Sequence, residues 1–346
     1  MLLGLVVRAG LRLGYHRDPS HYPKISVFQG EIQRRLWQML LHLDLVFSYQ
    51  VGLPRMITEA MHDAKAPRNL LDSDFDEDTD VLPPSRPYED FTPQGFLLLT
   101  HNVTVVFAKI VDQTNSTTPP SYDEVMRLDK LLHETYAQIP DKMKVRSLED
   151  LKTGSPDLIV GIFAAEILFQ KGRCVLHRKF LVSAKSSLNA QYMYSIKTCV
   201  DSAMAILKRQ EFVWEETQPG GPLYEHKWKC TTMLGQDFLL AAMLICLYLS
   251  NCIDASDVEP HMEPKQGQNN FSVLWTKDEM VEALESSYRI WDTSKNTSKQ
   301  ALKAARALKA ILAKAKKATV NQGPQTPLAP SNVTSYQYQG RLMITY

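Results

Sequence analysis

The chain is expected to fold as an all-α protein: a single large multi-helix domain with long irregular loops and a disordered C-terminal tail. Three observations predict this. Apolar residues recur at spacings of three and four through most of the chain, short alternating β-branched runs are nearly lacking, and proline or glycine clusters fall between the periodic segments. With 346 residues, 44% of them apolar and 22% charged, the chain can bury a large core.

The first segment, MLLGLVVRAGLRLG, is apolar but carries Arg8 and Arg12, where a signal peptide would need an unbroken apolar stretch and a small-residue cleavage site. No export is read from it. His16-Arg17-Asp18-Pro19 then sits at a helix end, since Asp18 can bond local backbone and Pro19 prevents continuation. The clearest helix runs from Glu31 to Val51. Its apolar residues Ile32, Leu36, Met39, Leu40, Leu43, Val46 and Phe47 predict the buried face, Glu31, Arg34, Arg35 and Gln38 the polar side, and Gly52 with Pro54 the stop. Within it, Glu31 and Arg35 stand four apart and are expected to form a surface pair worth about 0.3–0.5 kcal/mol. Burial of Trp37 would contribute several times more.

Residues 53–93, rich in Pro and Asp, read as an irregular stretch. Further helices are expected at 94–112, 121–138, 156–182, 187–210, 227–251, 277–291 and 297–318, broken by Pro119-Pro120, Pro140, Pro156, Pro219-Gly220-Gly221-Pro222 and the Pro260–Pro264 segment. The longest apolar run, Phe238 to Leu249, is twelve residues against the ~20 a bilayer requires, so it is expected as a core helix. Residues 252–275 read as a polar loop. The Gln/Pro/Ser/Thr/Asn-rich stretch 319–346 reads as a disordered tail, which sets the folded domain at 1–318.

Thirty-nine Lys and Arg against thirty-eight Asp and Glu give a net charge of +1, yet nine bases and no acid follow Asp292. The segment 298–317, SKQALKAARALKAILAKAKK, is a basic amphipathic helix: Ala301, Ala304, Ala305, Leu308, Ile311, Leu312 and Ala315 share one side, and Lys299, Lys303, Arg306, Lys309 and Lys314 stand on the other as candidate contacts for an anionic partner. The five cysteines lie scattered at 174, 199, 230, 246 and 252, without the spacing that wraps zinc, and read as reduced, buried thiols.

Catalytic patterns are weak. The acidic run Asp72, Asp74, Asp76, Glu77, Asp78 and Asp80 could hold a divalent cation, but an EF-hand loop from Asp72 would need Gly and Glu where Glu77 and Pro83 stand. The same run raises a magnesium-dependent terpenoid synthase as an alternative, although no second carboxylate constellation completes a metal cage. His16 with Asp18, and His42 with Asp44, lack any accompanying nucleophile signature, and the latter two point apart on a helix. No catalytic, cofactor-binding or metal-ligating residue is assigned.

Two segments carry a specific resemblance: RAGLRLGYHRD at 8–18 and EIQRRLWQMLLHLD at 31–44, followed by Gly52-Leu53-Pro54. They resemble the fungal-specific transcription factor domain, the middle homology region of fungal zinc-cluster regulators. The motif residues are His16, Arg17, Asp18, Glu31, Arg34, Arg35, Trp37, Asp44, Gly52 and Pro54; Gln38 departs where a second tryptophan is frequent. The resemblance continues through Asn69–Asp80, Val175-Leu176-His177-Arg178, Tyr194–Leu207, Asp237–Leu249 and Ala283–Ile311. Read physically, these motif residues hold helices together. The resemblance implies a nuclear, non-enzymatic regulatory domain that a small-molecule effector, coregulator proteins or another transcription factor subunit would contact, with a homodimer also open and no membrane association. The family's six-cysteine zinc cluster is not in this sequence, so zinc is expected only in such an upstream cluster and DNA is reached only indirectly. A shortened gene model, a fragment and a genuine regulator without its own DNA reader all stay open, and a standalone interaction protein with a basic amphipathic helix is a further alternative.

Overall fold

The computed structural model describes residues 2–88, 90, 92, 94–145, 155–183, 190–256, 275–296 and 298–320. Nine α-helices and no strand occur among these residues: α1 (Leu2–Arg12), α2 (Val27–Val51), α3 (Gly95–Thr114), α4 (Tyr122–Ala137), α5 (Pro156–Ser183), α6 (Met193–Glu216), α7 (Lys227–Ser256), α8 (Lys277–Thr293) and α9 (Lys299–Val320). The all-α expectation holds. The tail expected at 319–346 lies outside the described residues beyond Val320.

Local chemistry explains the helix ends. Ser26 accepts the Gln29 amide while the Gln29 side chain accepts the Ser26 amide, a capping box that starts α2 four residues before the expected Glu31. Gly52 closes α2 at φ 68°, a left-handed conformation that glycine adopts without strain. Thr276 and Glu279 box α8 in the same way. α6 starts at Met193 and runs to Glu216, beyond the expected 187–210; of that expected span, 187–189 lie outside the described residues.

α5 is the hub. It packs on α3, α4, α6 and α7, and α6 and α7 in turn carry the α8–α9 pair. Gly172 on α5 makes the close approach to α4 and α3: a Cβ there would stand 2.8 Å from Leu132 Cδ2 and 3.7 Å from Ile110 Cδ1. The main core draws on every helix except α1, from Leu45 and Tyr49 on α2 to Leu308 and Leu312 on α9. α7 is longer than the expected run, and its Leu234–Cys252 stretch is long and apolar enough to cross a bilayer by composition. Its Phe238, Ala241, Ala242, Ile245 and Leu249 are instead buried in the core.

α1 and α2 stand at one end of the stack; α2 packs on α3, and its Tyr49 also meets Lys171 of α5. Here one expectation is reversed. Glu31, Arg35, Gln38 and Asp44 are buried, whereas Leu36, Met39 and Phe47 are exposed. The inward side of α2 is therefore partly its charged side, for a reason that lies in the chain following it.

Candidate functional site

Among the described residues of 53–92 there are only two short 3-10 turns, Glu59–Met61 and Asp72–Asp74, yet the segment from Met56 to Asp72 is held closely against α1 and α2. Three carboxylates do the holding by accepting backbone amides from this strap. Asp44 Oδ2 accepts the Met56 amide at 3.0 Å and the Ile57 amide at 2.9 Å. Asp18 Oδ2 accepts the Lys65 amide at 3.0 Å. Glu31 Oε1 accepts the Arg68 amide at 3.1 Å. A buried carboxylate needs such donors, and an ordered segment without secondary structure needs acceptors, so each satisfies the other.

Arginines complete the clamp. Arg34 forks onto Asp18 through Nε and Nη2 at 3.0 and 2.8 Å, which holds the Asp18 carboxyl well below the ordinary carboxylate range. Arg35 donates to Glu31 Oε1 at 3.1 Å, to the Leu70 carbonyl at 3.0 Å and to Asp72 Oδ1 at 2.7 Å, and its guanidinium lies 4.6 Å from the Phe75 ring centre. The expected surface pair is thus an interior one: Glu31 is fully buried, and burial pushes its carboxyl up against the opposing pull of Arg35. Asp63 joins from the strap, accepting the Asp18 amide and pairing with Arg17 and His21.

Trp37 sits beneath the clamp, 1% exposed, with Val7, Leu40 and Ile57. His16 and His62 flank its ring at 6.1 and 5.7 Å. Gly52 turns the chain into the strap, and Pro54 lies exposed in that turn just ahead of the amides that Asp44 accepts. The structure therefore brings His16, Arg17, Asp18, Glu31, Arg34, Arg35, Trp37 and Asp44 together.

The acidic run is divided among local tasks. Asp72 pairs with Arg35, Asp74 is gripped by Arg86 and accepts the Leu71 amide, and Asp76 accepts the Thr79 hydroxyl and the Asp78 amide. No group of three or more His, Cys, Asp or Glu placed to hold a metal occurs among the described residues. His42 and Asp44 do not meet: Asp44 serves the strap, while burial, aided by the Lys171 charge, lowers His42 to about 4.

A second constellation, which motif reading missed, joins α4, α5 and α6. His177 Nδ1 lies 3.0 Å from Ser195 Oγ, His177 Nε2 lies 3.2 Å from Asp129 Oδ1, and the Tyr194 hydroxyl donates to Asp129 Oδ2 at 2.5 Å. The residue types are those of a hydrolytic triad, but His177 and Ser195 have no exposed surface, so the serine cannot meet a substrate. Desolvation lowers the His177 pKa, and the cluster pins three helices through neutral and charged hydrogen bonds. The resemblances at 175–178 and at Tyr194–Leu207 marked two of its three helices, but not that they meet here.

Lys171 and Asp237 form a further buried pair at 2.7 Å between α5 and α7, with the ammonium over the rings of Tyr49 and Phe107. Four cysteines are buried as expected; Cys252 is exposed. On α9, Ala301, Ala304, Ala305, Leu308 and Leu312 are buried, and Lys299, Lys303, Arg306, Lys309 and Lys314 project to solvent. Between α8 and α9 lies an open groove of about 570 Å³, lined by Glu282, Glu285, Tyr288, Arg289, Lys309 and Leu312 among others.

Comparison with known proteins places this geometry. The family described as Fungal specific transcription factor domain matches residues 1–194. The chain is 42% identical over 321 residues to the Zn(2)-C6 fungal-type transcription factor mpsB of Macrophomina phaseolina, covering 93% of this chain and 42% of that protein. It is 37% identical to the Zn(2)-C6 fungal-type transcription factor pigI of Monascus ruber, covering 88% and 36%. It is 36% identical to the pyrrolocin cluster transcription factor fsdR of Fungal sp. (strain NRRL 50135), covering 90% and 40%. The chain thus spans about two fifths of the length of these curated relatives. No solved structure matches it.

Proposed function

Since the chain belongs to the fungal-specific transcription factor domain family, we propose that it is the helical regulatory module of a nuclear regulator of a secondary-metabolite cluster, and that it works by being contacted rather than by catalysis. The observation that carries this reading is the alignment of about nine tenths of the chain with factors of that kind. The fate of the polar side chains is consistent with it. The motif carboxylates and arginines are engaged in holding the strap, the Asp129–His177–Ser195 cluster is sealed, and in the acidic run that raised a terpenoid synthase Asp72, Asp74 and Asp76 are taken up by Arg35, Arg86 and a local turn.

The α8–α9 groove offers a small-molecule effector or a coregulator both charged and apolar contacts. Such a ligand acts by biasing packings that it contacts differently. The experiment is a fusion of the whole chain to a heterologous DNA-binding domain over a reporter. Reporter output several-fold away from that of the DNA-binding domain alone is expected, and output indistinguishable from it would reject the regulatory reading.

A second contact is favoured by α9, where Lys299, Lys303, Arg306 and Lys309 are exposed and make no ion pair with a described residue. Changing these four and Lys314 together to Gln is expected to weaken a fusion's reporter response. An unaltered response removes the helix as a partner contact.

A further inference from the structure

Between α3 and α4 the chain crosses a short loop in which Thr118 is followed by Pro119 and Pro120. Asn115, Ser116, Thr117, Thr118 and Pro119 are all exposed. Each proline keeps the residue before it out of the helical region. Helix resumes only after Ser121, whose hydroxyl accepts the Glu124 amide at 3.2 Å. Thr118 donates its amide to Ser116 Oγ at 3.3 Å, and its own hydroxyl makes no hydrogen bond with a described residue.

An exposed hydroxyl followed by proline in non-helical chain is what a proline-directed protein kinase phosphorylates, because that class holds its substrate extended and needs no amide donor after the target residue. The sequence has four Ser/Thr-Pro pairs, and the structure separates them. Thr92 is 1% exposed, with its hydroxyl bonded to Asn69 Oδ1 at 2.7 Å. Ser155 is followed directly by α5, so the chain after it is helical, and its hydroxyl accepts the Leu158 amide. Thr326 lies outside the described residues. Thr118 alone among the described pairs is exposed, outside a helix start and unengaged.

A cation stands beside it. Lys179 reaches from α5 to the loop, where its Nζ donates to the Pro120 carbonyl at 3.2 Å, two residues from Thr118. Nζ also lies 4.9 Å from the Phe180 ring centre, and burial pushes the ammonium below the ordinary lysine range, so an anionic partner would favour its charged form. Of the acids in the first turn of α4, Glu124 is already paired with Arg127 at 2.7 Å, which leaves Asp123 as the opposing charge. The loop also leads into a packed junction: Tyr122 meets the rings of Phe180 and Tyr192 and is hydrogen-bonded to Ser195.

We propose that Thr118 is a phosphorylation site for a proline-directed kinase, and that its phosphate draws Lys179 from the Pro120 carbonyl and so ties the α3–α4 loop to α5. In the transfer, Thr118 Oγ attacks the γ-phosphorus of ATP, its proton passes to the kinase, the bond to the bridging oxygen breaks and ADP leaves. The product carries about −1.5 to −2 charges and three acceptor oxygens, where Lys179 now has a neutral carbonyl.

The test is incubation of the whole purified chain, carrying Thr326→Val, with a mitogen-activated-type kinase and magnesium ATP, followed by phosphopeptide mass spectrometry. One phosphate is expected, at Thr118, and none on a chain that also carries Thr118→Val. The phosphorylated chain is expected to melt about 2 °C higher, a shift lost with Lys179→Gln. Phosphorus NMR reads the same pairing without that variant, as a second phosphate ionisation below its ordinary value of ~6. An unmodified Thr118, phosphate placed on Ser155 instead, a melting shift that Lys179→Gln leaves intact, or a phosphate that titrates at its ordinary value would each overturn the proposal.

Discussion

Replacing Asp44 by Ala removes the acceptor for two backbone amides and for Ser48 while leaving the α2 helix propensity intact or improved. Hydrogen bonds to a charged group contribute about 1.5–3 kcal/mol each, and a buried amide left without a partner bears its desolvation cost. The Ile57 amide is buried and cannot recruit water in place; the Met56 amide is only partly buried and can. The expected loss is therefore about 3 kcal/mol, nearer the cost of one fully stranded amide than of two. Asp44→Asn retains one acceptor oxygen and turns an amino group toward donors, so it should cost roughly half as much. The loss must also be local first. Ile57, with no exposed surface against Trp37, is anchored to the strap that Asp44 ties down. Urea unfolding followed by circular dichroism gives the global term, and amide exchange over residues 53–68 gives the local one. A change below about 0.5 kcal/mol together with unaltered exchange at Met56 and Ile57 would refute the idea that carboxylates, rather than apolar contact, order the strap.

The Lys171–Asp237 pair should show strong non-additivity: either single change to Ala costs about 3–5 kcal/mol by stranding the other charge, and the double change costs less than the sum in a double-mutant cycle. Gly172→Ala should cost about 1–3 kcal/mol, measured by thermal melting, because its Cβ would press on Leu132. For His42, whose value falls from 6.5 to about 4 on folding, the unfolded chain binds the proton first as pH drops, so stability is full above 6.5 and declines toward 4. The decline at pH 5 is about 2 kcal/mol from this residue alone, and His42→Phe should flatten that part of the stability-against-pH curve.

Helix existence was legible because the three-and-four periodicity marks an amphipathic element whichever way it later faces. The facing of α2 was not. Apolar positions predict a buried side only when the polar side has water as its best partner, and here Glu31, Arg35 and Asp44 have better partners in Arg68, Leu70, Met56 and Ile57. Those partners sit in a segment with no period of its own, so nothing local announced that it would be ordered. The Ser26–Gln29 box was readable as a helix start and explains why α2 begins before Glu31. The Asp129–His177–Ser195 cluster was not readable, because its members come from three helices and converge only once α5 is packed. The alanine and leucine side of α9 was read correctly, since a closing helix has a single face to bury.

Interior charge on this scale argues for specification more than for strength. Buried ion pairs seldom stabilise beyond what well-packed apolar residues would, since desolvation offsets most of the attraction. The clamp instead discriminates. A strap shifted by one residue would offer Asp44, Asp18 and Glu31 carbonyls or side chains where they now meet the amides of Met56, Ile57, Lys65 and Arg68. An apolar clamp would tolerate such a slip, because greasy contacts have little directionality. Directional acceptors fix the path of the strap from Met56 to Arg68, and with it the rotation of α2. That rotation decides that Leu36, Met39 and Phe47 face outward, so the clamp residues act at a distance from the surface that α2 presents.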